Sequence, residues 1–164
     1  MSVLIPQTDD KTYSDFVDDE KAGQLLLDKW YADKGWTVDR TEACIGYDGV
    51  LSGRFDPITV EEKIVKWPDC IVEFLQDIAD YNNKGWFYTT TADMIVWAWV
   101  TDGRLRAVSR VGACEFKQWI KNDWHEIKPR AILSRRGLGA TLCLLPSPSW
   151  LAKCPTFKRE EVDG

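Results

Sequence analysis

The sequence predicts an α/β fold in which a long helix precedes a mixed central sheet with flanking helices. Residues Ser14 to Lys34 show helical spacing and are followed by Gly35, a residue common just beyond helix ends. Short β-type segments separated by Gly, Asp and Pro come next. Met94 to Val100 is apolar on both faces, which is typical of a strand covered on both sides within an α/β sheet.

The first helix has one largely apolar line along its length. Phe16, Gly23, Leu27 and Trp30 follow helical spacing, and Glu20 falls on the same line. We therefore expect Glu20 to point inward or toward the edge of a cleft.

The elements after this helix are expected in a definite order. A three-stranded meander comes first, formed by Trp36 to Ala43, Gly46 to Leu51 and Ile58 to Val65. The next segment, Cys70 to Ile78, fits either a helix or a strand by its spacing. Three further elements are expected: a central strand at Met94 to Val100, a second helix at Ala113 to Trp124 and a late strand at Ala140 to Leu145.

The composition indicates one domain spanning residues 12–157, with loose termini at 1–11 and 158–164. A chain of 164 residues with 45% apolar content can bury a sizeable core. It has no apolar stretch of the roughly 20 residues needed for a membrane helix, nor a signal-peptide pattern, so a cytoplasmic protein without membrane contact is expected. The five cysteines form no CxxC pair and are expected to be reduced thiols.

The charge distribution leaves room for a localised basic face. A net charge of -5 argues against non-specific coating of nucleic acid, which needs clustered basic side chains. Basic residues are concentrated in the second half, and we expect DNA contacts there from Lys117, Lys121, Arg135 and Arg136. The two arginines fit an exposed turn between strands equally well.

The segment Ile58 to Val65 carries the residues with the clearest chemistry. The two-residue period of a strand places Glu61 and Lys63 side by side on one face. A hairpin-like return could bring Asp48 opposite Glu61. At about 4 Å and an effective dielectric near 20, two carboxylates repel by roughly 4 kcal/mol, which favours a proton or a divalent cation between them. Hard oxygen ligands suit Mg²⁺ or Mn²⁺, and Lys63 could steady the charge that develops on a phosphate.

This arrangement resembles the PD-(D/E)xK, or restriction-endonuclease-like, nuclease superfamily. An Asp on one strand, Glu-x-Lys on the next and a preceding helix with a Glu match its pattern at Asp48, Glu61 to Lys63 and Glu20. The resemblance implies Asp48, Glu61, Lys63 and Glu20 as catalytic residues. It also implies Asp48, Glu61 and the main-chain carbonyl of Glu62 as metal ligands.

One further segment supports the match to this superfamily, and one position departs from it. Gly85 to Asp93 looks like a segment of its small phage-type members, which implies that Cys70 to Ile78 is a strand. Tyr47 stands where a Pro often precedes the motif Asp, so Asp56 remains a rival to Asp48, although Asp56-Pro57 is typical of a turn.

The resemblance implies a Mg²⁺- or Mn²⁺-dependent nuclease that hydrolyses DNA, with structure selectivity like that of a Holliday junction resolvase. It also implies a homodimer, because two active sites must address two strands. The alternative is a nuclease-like scaffold without catalysis that acts through protein contacts.

Overall fold

The computed structural model describes residues 4–5, 13–41, 46–75, 80, 82–130, 132–136, 139–144 and 146–162. Five helices and ten strands occur within these ranges, with a 3₁₀ turn at Lys128–Arg130. In chain order they are β1 (Leu4–Ile5), α1 (Tyr13–Asp33), β2 (Thr37–Asp39), β3 (Gly49–Ser52), β4 (Ile58–Val65), β5 (Val72–Leu75), α2 (Trp86–Thr89), β6 (Met94–Thr101), β7 (Arg104–Gly112), α3 (Ala113–Asn122), α4 (Trp124–Ile127), β8 (Ile132–Arg136), β9 (Gly139–Leu144), α5 (Pro148–Leu151) and β10 (Lys158–Glu161).

A six-stranded sheet of order β10-β7-β6-β4-β3-β2 forms the centre of the fold. The β4–β6 pair is parallel, and every other pair in this sheet is antiparallel. The predicted class, an α/β fold with a mixed central sheet and flanking helices, is confirmed. Strand β6 lies between β4 and β7, as its two apolar faces predicted.

Helix α1 packs on one face of the central sheet. Leu27, Trp30 and Tyr31 are buried there against residues of β3, β4, β6 and β7. Gly23 allows this approach, because a Cβ at that position would come within 2.5 Å of Cγ2 of Ile64. The sequence pattern correctly predicted this helix and its buried line from Gly23 onward.

Helices α2 and α3 cover the opposite face of the central sheet. Their aromatic side chains pack against Ile95 and Trp97 of β6, with Trp86 stacking edge-on to Trp97 at 6.1 Å between ring centroids and Phe116 at 5.7 Å. A second sheet of order β1-β8-β9-β5 adjoins this side. The strand alternative for Cys70 to Ile78 is therefore right for Val72–Leu75, while residues 76–79 lie outside the described part of the chain.

The C-terminal end of the chain corrects one expectation. Residues 158–164 were expected to be loose, but Lys158–Glu161 form β10 and pair with β7 along the edge of the central sheet. The segment is highly charged and so resembles a loose end, but charged residues are common on edge strands. The Arg159 guanidinium also holds it in place by donating to the Ser109 hydroxyl and the Pro68 carbonyl. At the other end, Leu4–Ile5 pair with β8, although residues 1–11 were also expected to be loose.

Other differences concern individual elements. Strands β7 and β8 were not predicted, and Glu20 is exposed rather than directed inward. Within the described ranges, no helix is both long enough and apolar enough to cross a membrane.

Candidate active site on strand β4

Strand β4 directs Glu61 and Lys63 to the face covered by α2 and α3. Their β6 partners in the register are Ile95 and Trp97, whose side chains belong to the core on that face. The Lys63 ammonium lies 2.5 Å from Oε1 of Glu61. The side chain of Glu61 is almost fully buried, whereas that of Lys63 is a quarter exposed. The predicted neighbours therefore form an ion pair whose lysine end reaches solvent.

Asp48 lies immediately before β3 and faces the same stretch of β4. Its backbone N–H donates to the Val60 carbonyl at 2.8 Å. Its carboxylate Oδ2 accepts a hydrogen bond from the Glu62 N–H at 2.6 Å. The rival carboxylate, Asp56, is exposed in the turn before β4 and bonds to none of the described residues. The structure therefore brings Asp48, and not Asp56, to the Glu-x-Lys segment.

The electrostatics of Glu61 reflect its burial between charged neighbours. Burial raises the pKa of the Glu61 carboxyl above its usual value, and the negative charge of Asp48 raises it further. The Lys63 ammonium opposes both effects by stabilising the ionised form. Two carboxylates that disfavour each other's charge, with an ammonium beside one of them, form a site that can accept additional positive charge.

Glu62 points to the opposite face, into a buried hydrogen-bond network below α1. Its Oε1 accepts from the Tyr31 hydroxyl at 3.0 Å, and its Oε2 accepts from Nη2 of Arg40 at 2.7 Å. Nη1 of Arg40 pairs with Asp28 of α1 at 2.7 Å. The Glu62 side chain is thus fully engaged, and only its main chain is available to the site.

The main-chain carbonyl of Glu62 lies on the edge of β4 that faces β3, the side on which Asp48 lies. The Glu62 N–H donates to Asp48, and the N–H and C=O of one strand residue point to the same neighbouring strand. The resemblance implied this carbonyl as a ligand, and its direction is compatible with that role.

Three further residues that sequence reasoning did not assign to the catalytic centre, Trp86, Thr90 and Lys117, lie beside the Glu61–Lys63 pair. The Lys63 ammonium lies 5.5 Å from the ring centroid of Trp86, which is a cation–π distance. Nζ of Lys117 donates to the Thr90 carbonyl at 2.7 Å. Burial and then the charge of Lys121 lower the pKa of the Lys117 ammonium, while Glu61 opposes the shift and is therefore close by. Trp86 and Thr90 lie in the Gly85 to Asp93 segment, and the resemblance of that segment to the nuclease superfamily was the sequence signal that could have pointed to them.

The remaining predicted residues lie apart from this cluster. Glu20 is exposed on α1 beyond Gly23, which packs against Ile64 on the face away from Glu61. Asp19, beside Glu20, pairs with Lys66 just past the end of β4 at 3.2 Å. Arg135 and Arg136 belong to β8 in the second sheet, and their side chains lie outside the described part. Glu20 therefore lies on the other side of the sheet from Glu61, and the roles of Arg135 and Arg136 stay predictions.

The donor set fits a hard divalent cation by its chemistry. Asp48 and Glu61 supply carboxylate oxygens and Glu62 a carbonyl oxygen, the ligand types that Mg²⁺ prefers, with water completing its shell. Of the Asp48 oxygens, only Oδ2 accepts a hydrogen bond from the described residues. No cluster of three or more His, Cys, Asp or Glu side chains suited to a metal occurs in the described ranges. A cation here would thus depend on two carboxylates and the main chain.

Comparison with solved structures finds a distant likeness in fold. The restriction endonuclease BglI, bound to its DNA recognition sequence, matches 96% of this chain and 75% of its own, with 13% identity and a TM-score of 0.44. No family model matches the sequence, and no curated protein matches it. A likeness at this level assigns neither a residue nor an activity, so the chemistry of the site depends on its own contacts.

Proposed function

We propose that the protein is a metal-dependent nuclease that hydrolyses DNA phosphodiester bonds. The observation that supports this most directly is the meeting of three residues: the Glu61–Lys63 ion pair on β4 and Asp48, bonded to the intervening peptide. Carboxylates that hold a cation beside a lysine whose ammonium reaches solvent are suited to chemistry at a phosphate.

In this proposal Asp48, Glu61 and the Glu62 carbonyl would hold Mg²⁺ or Mn²⁺. When bound, the ion would polarise a phosphoryl oxygen and favour ionisation of the attacking water. Lys63, between Glu61 and the Trp86 ring, would donate to a phosphate oxygen as negative charge develops. The buried Trp86 ring would limit water around that ammonium and so strengthen its interaction with the phosphate.

The test is cleavage of labelled single-stranded, duplex and four-way-junction DNA with Mg²⁺ or Mn²⁺. Glu61→Gln and Lys63→Ala should each lower the rate by about 10²- to 10³-fold, the usual effect of losing one group that stabilises transition-state charge. Lys66→Ala is the matched control, because Lys66 is an exposed lysine that directly follows β4 and pairs with Asp19 of α1. Equal cutting by all four proteins would indicate a contaminating nuclease and refute the proposal.

Asp48→Asn and Asp56→Asn separate the two candidate acids. The first substitution should abolish metal-dependent cutting, because Asp48 lies at the Glu-x-Lys segment. The second should leave it unchanged. The reverse result would move the site to the turn before β4.

The second candidate function is a non-catalytic domain that acts through protein contacts. It is favoured by the charge balance of the described site, where Lys63 already pairs with Glu61 and Arg40 with Glu62. A thermal titration distinguishes the two functions. A metal that binds only the folded state adds about 1.4 kcal/mol of stability at ten times its Kd, and the gain should vanish in Glu61→Gln. No gain with either ion would favour the binding domain.

The homodimer also stays a prediction. Sedimentation velocity would test it, since the expected species is twice the mass of the chain.

A further inference from the structure

Two exposed aromatic side chains meet over one buried ring beside the candidate site. Tyr88 is 53% exposed and Trp124 is 38% exposed. Both lie against Phe74, with ring centroids 6.2 and 5.5 Å from it. We call Phe74, Tyr88 and Trp124 the aromatic face.

The clustering of these two rings is unusual for the surface of this protein. Of the five large hydrophobic side chains exposed within the described ranges, only Tyr88 and Trp124 share a ring partner. Single exposed apolar residues are common, whereas adjacent ones often mark an interaction site. Phe74 is buried and packs on Phe87 at 5.1 Å, so the aromatic face has a rigid base.

One lysine lies beside a ring of the aromatic face, and two others lie on α3. The Lys84 ammonium lies 5.9 Å from the Tyr88 ring centroid. Lys121 is exposed near the end of α3 and lies near Lys117. Two acids, Asp123 and Glu126, also lie near Trp124 in the chain, and His125, 3.8 Å from Glu126, is charged only when it is protonated. Aromatic rings flanked by cations suit a strand that offers bases and phosphates together.

The aromatic face is joined to the candidate active site through α2. Trp86 of this helix contacts Lys63, and Tyr88 projects from the other side of the same turn. A helix with its side chains is about 10 to 12 Å wide. At about 3.4 Å per nucleotide along one strand, this width corresponds to roughly three nucleotides.

We propose that the aromatic face stacks on unpaired bases of the DNA strand whose phosphate reaches Lys63. The inference deepens the proposed function by naming its substrate class as single-stranded or locally unpaired DNA. Every base has a face that can stack on an aromatic ring, so the preference would be for unpaired structure and not for sequence. A fully paired duplex keeps its bases stacked on each other and cannot use this surface.

The test measures binding without cutting. Fluorescence anisotropy in EDTA compares a labelled thymidine homopolymer with a duplex of equal length. Tyr88→Leu and Trp124→Leu keep apolar cover over Phe74 but remove the stacking rings, and each should weaken single-strand binding at least about 5-fold. Trp67→Leu is the matched control, because Trp67 is 39% exposed in the turn after β4, away from Phe74.

Conservative variants keep the result interpretable if the leucine variants lose stability. Tyr88→Phe and Trp124→Phe retain the rings and should bind the homopolymer within about 2-fold of wild type. Unchanged binding in correctly folded leucine variants, or equal affinity for duplex and homopolymer, overturns the inference. It is also overturned if the leucine substitutions change the sedimentation coefficient, since a second copy of the chain would then cover the face.

Failure of this inference can be told apart from failure of the proposed function. If the protein binds single strands through Tyr88 and Trp124 but Lys63→Ala has no effect on cleavage, only the nuclease proposal falls. If cleavage depends on Lys63 but ignores the leucine substitutions, only the stacking surface falls.

Discussion

The buried carboxylate of Glu62 gives the sharpest test of how the site segment is held. Its side chain is 1% exposed and accepts hydrogen bonds from Arg40 and Tyr31. Arg40→Met retains most of the aliphatic stem but removes the guanidinium that faces the carboxylate at 2.7 Å. The variant therefore leaves a buried negative charge with one hydroxyl partner.

The expected loss of stability follows from the geometry of this pair. Removing one partner of a buried ion pair costs about 3 to 5 kcal/mol. We expect a value near 3 kcal/mol, because the Tyr31 hydroxyl remains and water can reach the position of a side chain that is 24% exposed. Urea unfolding at neutral pH measures it directly.

The loss should also depend on pH. Burial raises the pKa of Glu62, and Arg40 is the strongest opposing influence, so its removal raises that pKa further. A carboxyl with a raised folded-state pKa binds a proton more readily when folded, so stability falls as pH rises through that pKa. The penalty of Arg40→Met is thus largest at neutral pH and shrinks on acidification.

Two comparisons decide whether this reasoning holds. The double variant Arg40→Met/Glu62→Gln should recover most of the lost stability, because it removes the charge that Arg40 neutralises. Arg106→Met, which breaks an exposed pair with Asp102, should cost less than about 1 kcal/mol. A loss under about 1 kcal/mol for Arg40→Met, or one that is independent of pH, would refute the buried-charge explanation.

Three further predictions concern packing, surface charge and thiols. Gly23→Ala should lower stability by about 1 kcal/mol, because overpacking against the stiff Ile64 side chain outweighs the gain in helix propensity; equal or greater stability in urea would contradict this. A hydrogen bond from Lys34 lowers the pKa of Glu160, so Glu160→Gln should lower the free energy of unfolding by about 0.5 kcal/mol at neutral pH. The difference should disappear at acidic pH, where Glu160 of the wild type is protonated; a difference that does not change with pH would contradict this. Burial raises the pKa of Cys70 to about 12, so mass spectrometry after iodoacetamide treatment at mildly alkaline pH should show Cys114 modified and Cys70 intact; labelling of Cys70 in the folded protein would disprove its burial.

The sequence predicted the parts of the site that depend on local periodicity. Strand β4 was expected at Ile58 to Val65 and has those bounds, because Pro57 precedes it and its side chains alternate. The same alternation placed Glu61 and Lys63 together and Glu62 opposite. Asp48 followed from the short connection between β3 and β4, which leaves few alternatives for pairing.

Long-range placement could not be predicted in the same way. Trp86 and Lys117 reach the Lys63 side only because β4 pairs in parallel with β6 across the segment 66–93, and periodicity carries no information on that crossover. Glu20 was misplaced for a related reason. Its line on α1 is helical, but burial on that line begins at Gly23, where the helix meets Ile64, and residues 18–22 are exposed.

The parallel pairing of β4 with β6 has a consequence for the order of folding. Asp48, just before β3, and Glu61 of β4 are separated by a short loop, so they can meet early. Trp86 and Lys117 arrive only after a long loop has closed. A folding chain would thus acquire its acidic groups before the aromatic and basic groups that enclose Lys63. Under the proposed function, cation binding and phosphate chemistry should accordingly appear at different times during refolding, the second only after β6 has docked.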